Sequence, residues 1–369
     1  MADSAPSPVS GAGDRAADPP TEAPTDALAE RPYHPARIRL HVVTGKGGTG
    51  KTTVAAALAL ALAAGGRRTL LCEVEGRQGI AQLFDVPPLP YDERKIAVAQ
   101  DGGDVFALAV EPKAALLEYL DLFYRMGRAG KVLERIGAVD FATTVAPGLR
   151  DVLLTGKVYE AARRRRHQGP VYDAVVLDAP PTGRVTRFLN VNEEVADLAK
   201  VGPIRNQADS IMTLMRSPQT AVHLVSVLEE MPVQETQDAA AGLRTAGLPL
   251  GCVIVNMVRE PVLADADLVR AAAGRLDVAE VAEGLVAAGI GARSARRGSS
   301  LDDARIARLA AGLVREGTDH ALRVELEHDQ RNELAAVGRP TAELPALPGG
   351  IDLGALYDLA DLLVEQGVA

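Results

Sequence analysis

The segment Thr44-Gly45-Lys46-Gly47-Gly48-Thr49-Gly50-Lys51-Thr52-Thr53 fits G-x-x-x-x-G-K-[ST]. An apolar run precedes it and an Ala/Leu-rich helical stretch follows, which is the context such a loop requires. Glycines at 45, 47, 48 and 50 let backbone N–H groups curl around phosphate oxygens with no Cβ in the way. The following helix N-terminus adds partial positive charge. Lys51 supplies a compact cation for β- and γ-phosphates, and the Thr52 hydroxyl is a candidate Mg²⁺ ligand. Thr49 and Thr53 complete the expected cradle. Lys46 is the extra feature, since an ordinary loop of this type tolerates many residues there.

Two acidic positions extend the site. Cys72-Glu73-Val74-Glu75-Gly76 closes a second apolar run. Carboxylates ending a central parallel strand face the crevice at the sheet's carboxyl edge. Glu75 is therefore a candidate to orient or deprotonate an attacking water. Tyr172-Asp173-Ala174-Val175-Val176-Leu177-Asp178 is an apolar run ending in Asp, the placement of a carboxylate near Mg²⁺. Ala179-Pro180-Pro181-Thr182-Gly183 follows as a stiff turn suited to sensing nucleotide.

Those residues need a scaffold that brings strand ends together. Short apolar runs at Ile38–Val43, Thr69–Val74, Val105–Val110, Val171–Leu177, Ala221–Val227 and Cys252–Val255 alternate with helix-period stretches, and a last short strand is expected near Glu343–Leu344. Several are apolar on both faces. The expected fold is α/β, a P-loop NTPase with a mostly parallel central sheet covered by helices on both faces. Helical insertions are expected near 112–149, 193–218 and 258–335, and a final amphipathic helix over Leu353–Glu365. Residues 1–36 read as a disordered tail, because Pro, Ala, Ser, Asp and Gly dominate with no apolar period. The folded P-loop unit is then expected over 37–369.

Composition excludes several function classes. The 369 residues are 47% hydrophobic, 24% charged and 3% aromatic, with no Trp and a net charge of −9. A stacking platform for nucleic acid is not expected, and acidity opposes a phosphate-backbone partner. Two cysteines, Cys72 and Cys252, cannot build a disulfide framework or a four-thiolate metal site within one chain. None of the six His has ligand-like sequence neighbours. Arg163–Arg166 with His167 reads as a helix end, and Arg293, Arg296, Arg297 and Gly298 as a turn. No apolar run approaches the roughly 20 residues that span a bilayer, and no leader pattern is seen, so a cytoplasmic location is expected.

K-G-G-T-G-K-T-T resembles the deviant Walker A ATPases, and with Y-D-A-V-V-L-D-A-P-P-T-G and Arg184, Arg187, Phe188 and Leu189 it resembles the ArsA family. That family holds arsenite-pump ATPases and the ATPases that guide tail-anchored proteins. E-V-E-G-R-Q-G-I-A-Q-L-F-D resembles an actinobacterial branch. The resemblance implies ATP and Mg²⁺ as cofactors and a dimer in which Lys46 completes the partner's site. It implies that Glu75 sits at the hydrolytic position, where relatives carry Asp. Ala146-Pro147-Gly148 matches the family's P-G segment. The resemblance further implies that Asn256 reads adenine and that Leu344 and Pro345 belong to a loop closing over the base.

Departures narrow the function. The cysteine clusters of arsenite-gated members and of nitrogenase-type iron proteins are missing, as is the zinc-binding C-x-x-C of the targeting factors. The acidic C-terminal helix does not suit a membrane anchor. Three readings stay open. One is a dimeric switch handling an apolar protein client, through Leu116–Met126 or Ile204–Met215. The second is a low-activity subunit working with a paralogous ATPase. The third is a partitioning or positioning ATPase.

Overall fold

A computed structural model describes residues 32–124, 147–166, 169–190, 203–290 and 303–369. Eight described strands form one sheet: β1 (Leu40–Gly45), β2 (Arg68–Glu73), β3 (Arg94–Val98), β4 (Asp104–Ala109), β5 (Ala174–Asp178), β6 (Thr220–Ser226), β7 (Leu250–Val258) and β8 (Thr341–Pro345). Their order is β8-β7-β6-β1-β5-β2-β4-β3. All neighbouring pairs are parallel except β3 with β4. The expected runs all appear, shifted by one to three residues. The strand missed in the sequence is β3 (RKIAV), an edge strand with exposed Arg94 and Lys95. Edge strands carry charge to discourage further pairing, and that erases the apolar signature. A short antiparallel ribbon, Arg165–Arg166 with Gly169–Pro170, was also unforeseen.

The described helices are α1 (Lys51–Ala63), α2 (Gly79–Leu83), α3 (Pro112–Tyr124), α4 (Pro147–Arg163), α5 (Thr182–Leu189), α6 (Pro203–Met215), α7 (Glu230–Thr245), α8 (Asp265–Ala272), α9 (Val278–Ala287), α10 (Asp303–Ala335) and α11 (Leu353–Glu365). Alternation along the strands splits the core into two layers. Leu40 and Val42 face one layer, which also takes Val158 of α4, Phe188 of α5, Ile211 of α6 and Leu243 of α7. Val43 faces the other, built on α1 and α11. Helix α1 is buried from Val54 to Ala63. Its all-round Ala/Leu surface is that of a helix with no solvent face. The Asp352 side chain caps α11 by accepting from Ala355 N at 2.8 Å. That helix lays Leu356, Leu359, Ala360 and Leu363 into the core, so its apolar face is already used. No helix among the described residues is long and apolar enough to cross a membrane.

Two sequence expectations change. The folded unit takes in residues before 37: Tyr33 donates its hydroxyl to Val368 O at 2.6 Å, and its ring meets His223 edge-on at 5.7 Å. Second, Ile211, Met212, Leu214 and Met215 of α6 are buried in the core, so they offer no surface to a client. Leu116 of α3 is likewise buried. Arg125, Met126, Ala146, His167 and the turn at Arg293–Gly298 lie outside the described residues.

Tertiary packing also pairs two histidines that the sequence left unremarked. His41 and His223 are fully buried on adjacent strands, with Nδ1 of His41 3.1 Å from Nε2 of His223. Cys252 N–H donates to Nδ1 of His223 at 3.2 Å, so His223 carries its proton on Nε2 and donates it to His41. Burial above all holds both imidazoles neutral, and His223 is pushed down to about 3. A base with a depressed folded pKa binds more protons when unfolded. Its stabilising contribution is full above pH 6.5 and is lost as pH falls below that. We expect the unfolding free energy to fall by about 1.4 kcal/mol per pH unit for each imidazole that must charge on unfolding. Denaturant titrations from pH 7 to 5 check this. The same slope in a His41→Val/His223→Val variant would contradict it.

Candidate nucleotide-binding site

The site grows from the carboxyl end of β1. β5 and β6 flank β1 in the sheet, so the chain enters a crevice as it leaves the strand. Gly45 must lack a side chain, because a Cβ there would lie 2.1 Å from Val225 O of β6. Gly50 is the Ncap of α1, with φ +83, and a Cβ there would lie 2.3 Å from Asn256 Nδ2. Both glycines are fixed by close approach, and Gly50 also by its left-handed backbone. Hypothetical Cβ atoms at Gly47 and Gly48 meet nothing within 4 Å, so this side of the loop is open for a ligand. Thr49 turns inward, and its hydroxyl donates to Lys46 O at 2.9 Å, closing the loop on itself.

Two of the expected site residues meet at the start of α1. The Thr52 hydroxyl donates to Asp178 Oδ2 at 2.7 Å. Asp178 ends β5, level with Val43 of β1 and Glu73 of β2. Its other oxygen, Oδ1, is buried without a hydrogen-bond partner. Burial raises the Asp178 carboxyl to about 6; Glu73 and Glu75 add to this, and Thr52 and Lys51 oppose it. An orphaned buried carboxylate oxygen beside a hydroxyl, in a field of other carboxylates, suits a hard divalent cation. Thr52 and Asp178 are thus a fitting donor set for Mg²⁺.

The two glutamates of β2 and its following loop have different surroundings. Glu73 is almost fully buried; its Oε1 accepts from Gln78 N at 2.5 Å and its Oε2 from Ile80 N at 3.3 Å. That carboxylate clamps the loop 74–80, where Gln78 takes a left-handed φ of +55. Glu75 sits on the clamped loop, lining a cavity of about 400 Å³ with Tyr91, Glu111 and Arg150, and lies 3.8 Å from Arg77. The clamp through Glu73 carried no sequence signal of its own.

On the other side of α1, Thr53, Asn256, Met257, Arg259, Pro345 and Leu347 line a cavity of about 680 Å³. Asn256 is buried, and its Nδ2 donates to Thr49 O at 2.9 Å, tying β7 to the phosphate loop. Met257 has φ +59, an outlier at the cavity rim. Pro345 lines the cavity, but Leu344 does not: it is fully buried among core residues packed with α1 and α11. Side chains alternate along β8, so adjacent residues cannot share one face.

Lys46 pairs with an acidic residue of α7. Its Nζ is 2.9 Å from Glu235 Oε1 on α7, and Thr182 at the start of α5 donates to Glu235 Oε2 at 3.1 Å. Thr44 Oγ1 also donates to Pro180 O at 2.7 Å, tying β1 to the turn after Asp178. Glu235 escaped the sequence reading, because no motif surrounds it, and the tie from Thr44 to Pro180 carried no signal beyond its place at the head of the loop.

A doubly covered, mostly parallel sheet with a Gly-Lys-Thr loop leaving its central strand, beside a strand-ending Asp, defines a P-loop nucleotide hydrolase. A family model described as anion-transporting ATPase matches residues 38–219. The ATPase BagA of Mycobacterium tuberculosis is 54% identical over 332 residues, covering 90% of this chain and 94% of that protein. More remote relatives are the ATPase ARSA1 of Chlamydomonas reinhardtii, 25% identical over 72% of this chain and 41% of its own, and the ATPase GET3B of Arabidopsis thaliana, 22% identical over 66% and 70%. The chain belongs to the ArsA family of ATPases, in its actinobacterial branch.

Proposed function

We propose that this ATPase is a Mg²⁺-ATP-driven dimeric switch whose nucleotide cycle handles an apolar protein client. The convergence of Thr52 and the half-satisfied Asp178 at the phosphate loop carries the reading. In it, the amides of residues 45–50 and Lys51 bind the phosphates. Thr52 and Asp178 hold Mg²⁺, which neutralises charge building on the phosphates when bound. Glu75 orients the water, held on the loop that Glu73 clamps. The adenine occupies the cavity of Thr53, Asn256 and Pro345. Asp178, Pro180 and Thr182 then connect occupancy of the site to α5. One such unit takes in residues 37–369 with its helical additions, together with the segment from Tyr33 that packs on Val368 and His223.

The client surface must lie elsewhere than α6. Among the described residues, exposed large apolar side chains gather on the helices of 258–335: Val269, Val278, Val286, Leu309, Leu322 and Leu326. They support an apolar client.

Glu75 keeps the second reading in play, because Glu is one methylene longer than the Asp of relatives and shifts a positioned water by roughly an ångström. Steady-state turnover separates the two. In the switch reading, the unmodified chain alone hydrolyses Mg²⁺-ATP and Glu75→Ala lowers kcat by about 10²-fold with little change in nucleotide affinity. A chain inert alone but active when mixed with a paralogous ATPase would favour the hetero-oligomer. Glu75→Ala, holding ATP, is also the bait for client capture.

A further inference from the structure

We propose that Glu235 is a latch that holds Lys46 inside its own subunit until nucleotide acts on the turn at Pro180–Thr182. This rests on the reading above, in which Lys46 leaves its own chain to complete the partner's site. A lysine with that task needs a resting place within its own subunit, and Glu235 supplies one.

The geometry has three parts. Glu235 Oε1 takes Lys46 Nζ at 2.9 Å, and Oε2 takes the Thr182 hydroxyl at 3.1 Å, so one carboxylate holds two groups from separate segments. The post is rigid: α7 buries Pro232, Val233, Thr236, Ala239, Ala240 and Leu243. The arm is the Lys46 side chain alone: Thr49 pins its carbonyl, while open space around Gly47 and Gly48 leaves the long side chain room to swing. Helix α5 lies close against the post, and a Cβ at Gly242 would come within 3.3 Å of Thr186 Oγ1.

Competition makes this a latch. Lys46 cannot serve Glu235 and a partner's phosphates together. Side-chain exposures of 29% and 35% leave the pair in reach of water, so it is weak enough to break. Thr182 lies four residues beyond Asp178, and Thr44 holds the intervening turn at Pro180. A change at Asp178 on nucleotide binding would therefore move Thr182 and disturb the carboxylate that holds Lys46. Glu235 is a positioning residue in this scheme. It touches neither nucleotide nor metal.

The test is sedimentation equilibrium of the full chain in the slowed Glu75→Ala background, with and without Mg²⁺-ATP. An exposed ion pair of this kind is worth about two- to fivefold. Two lysines leave two latches in a symmetric dimer, so Glu235→Gln should lower the Mg²⁺-ATP dimer dissociation constant by about four- to twenty-five-fold. The gain should vanish when Lys46→Gln is added, because nothing is left to release. Thr182→Val should shift the constant the same way by less, and Thr182→Ser should restore it. Those two variants keep the proposal testable if Glu235→Gln folds poorly. A dissociation constant that Glu235→Gln leaves unchanged or raises, in a chain with normal thermal unfolding, overturns the latch alone. Failure of the unmutated-latch chain to associate at any Mg²⁺-ATP concentration overturns the dimeric reading, and the latch with it.

Discussion

Asp178→Asn should make the nucleotide-free chain more stable and nearly abolish its turnover. The carboxylate is 8% exposed, has an unpartnered oxygen and shares its field with Glu73 and Glu75. Burial is the largest of the influences that raise it from 3.8 to about 6. The sign is opposite to that of a salt-bridged Asp. The fold disfavours the ionised form, so the destabilisation is full above pH 6 and fades as pH falls toward 3.8. Asparagine keeps an acceptor for the Thr52 hydroxyl and removes the charge. The gain at pH 7.5 should be about 1–3 kcal/mol in the absence of nucleotide. Turnover should fall by about 10²- to 10³-fold, as when a preorganised electrostatic partner is removed. Chemical denaturation and a phosphate-release assay read the two effects. Mg²⁺-ATP should stabilise the parent chain against heat far more than Asp178→Asn. A variant less stable than the parent without nucleotide would mean that Asp178 is a structural acceptor, and the cation site would need other residues.

Lys51→Ala should lower kcat/KM by about 10²- to 10³-fold while leaving the fold intact. Lys51 is the first residue of α1, where the helix dipole is positive and a cation is unfavourable. That cost offsets the favourable field Lys51 places on the Asp178 carboxylate, so unfolding stability should change little. The loss should fall on both nucleotide affinity and kcat, because the ammonium meets phosphate in the ground state and in the transition state. Tryptophan is absent, so affinity is best read by calorimetry. Full turnover in Lys51→Ala would remove the phosphate-loop assignment altogether. Asp178 shows the tension most plainly, because the group that would hold the cation sits where burial penalises its charge.

Local chemistry was legible in the sequence wherever residues that act together also stand together. The phosphate loop is contiguous, and its glycines mean the same thing in sequence as in space. The strands showed because burial on both faces forces unbroken Val, Leu and Ile. β3 did not show, because a sheet edge is kept partly charged. Leu344 and Pro345 were expected side by side over the base, but strand alternation sends Leu344 into the core and leaves Pro345 at the cavity. The apolar face of α6 looked the same whether it met a client or the sheet, and only packing chose the sheet.

The sequence by itself determined the family, the α/β architecture and the residues Lys51, Thr52 and Asp178, since motif order and strand pattern need no knowledge of distant contacts. The tertiary structure alone decided what those residues face. It left one oxygen of Asp178 without a partner, gave Glu73 a clamp rather than a free carboxylate, buried His41 against His223 and brought Glu235 to Lys46 across 189 positions of chain. Motifs record chemistry that neighbours in the chain perform together. Hydrogen bonds and ion pairs between β1, β5, β6 and α7 depend on sheet order, which no local pattern encodes.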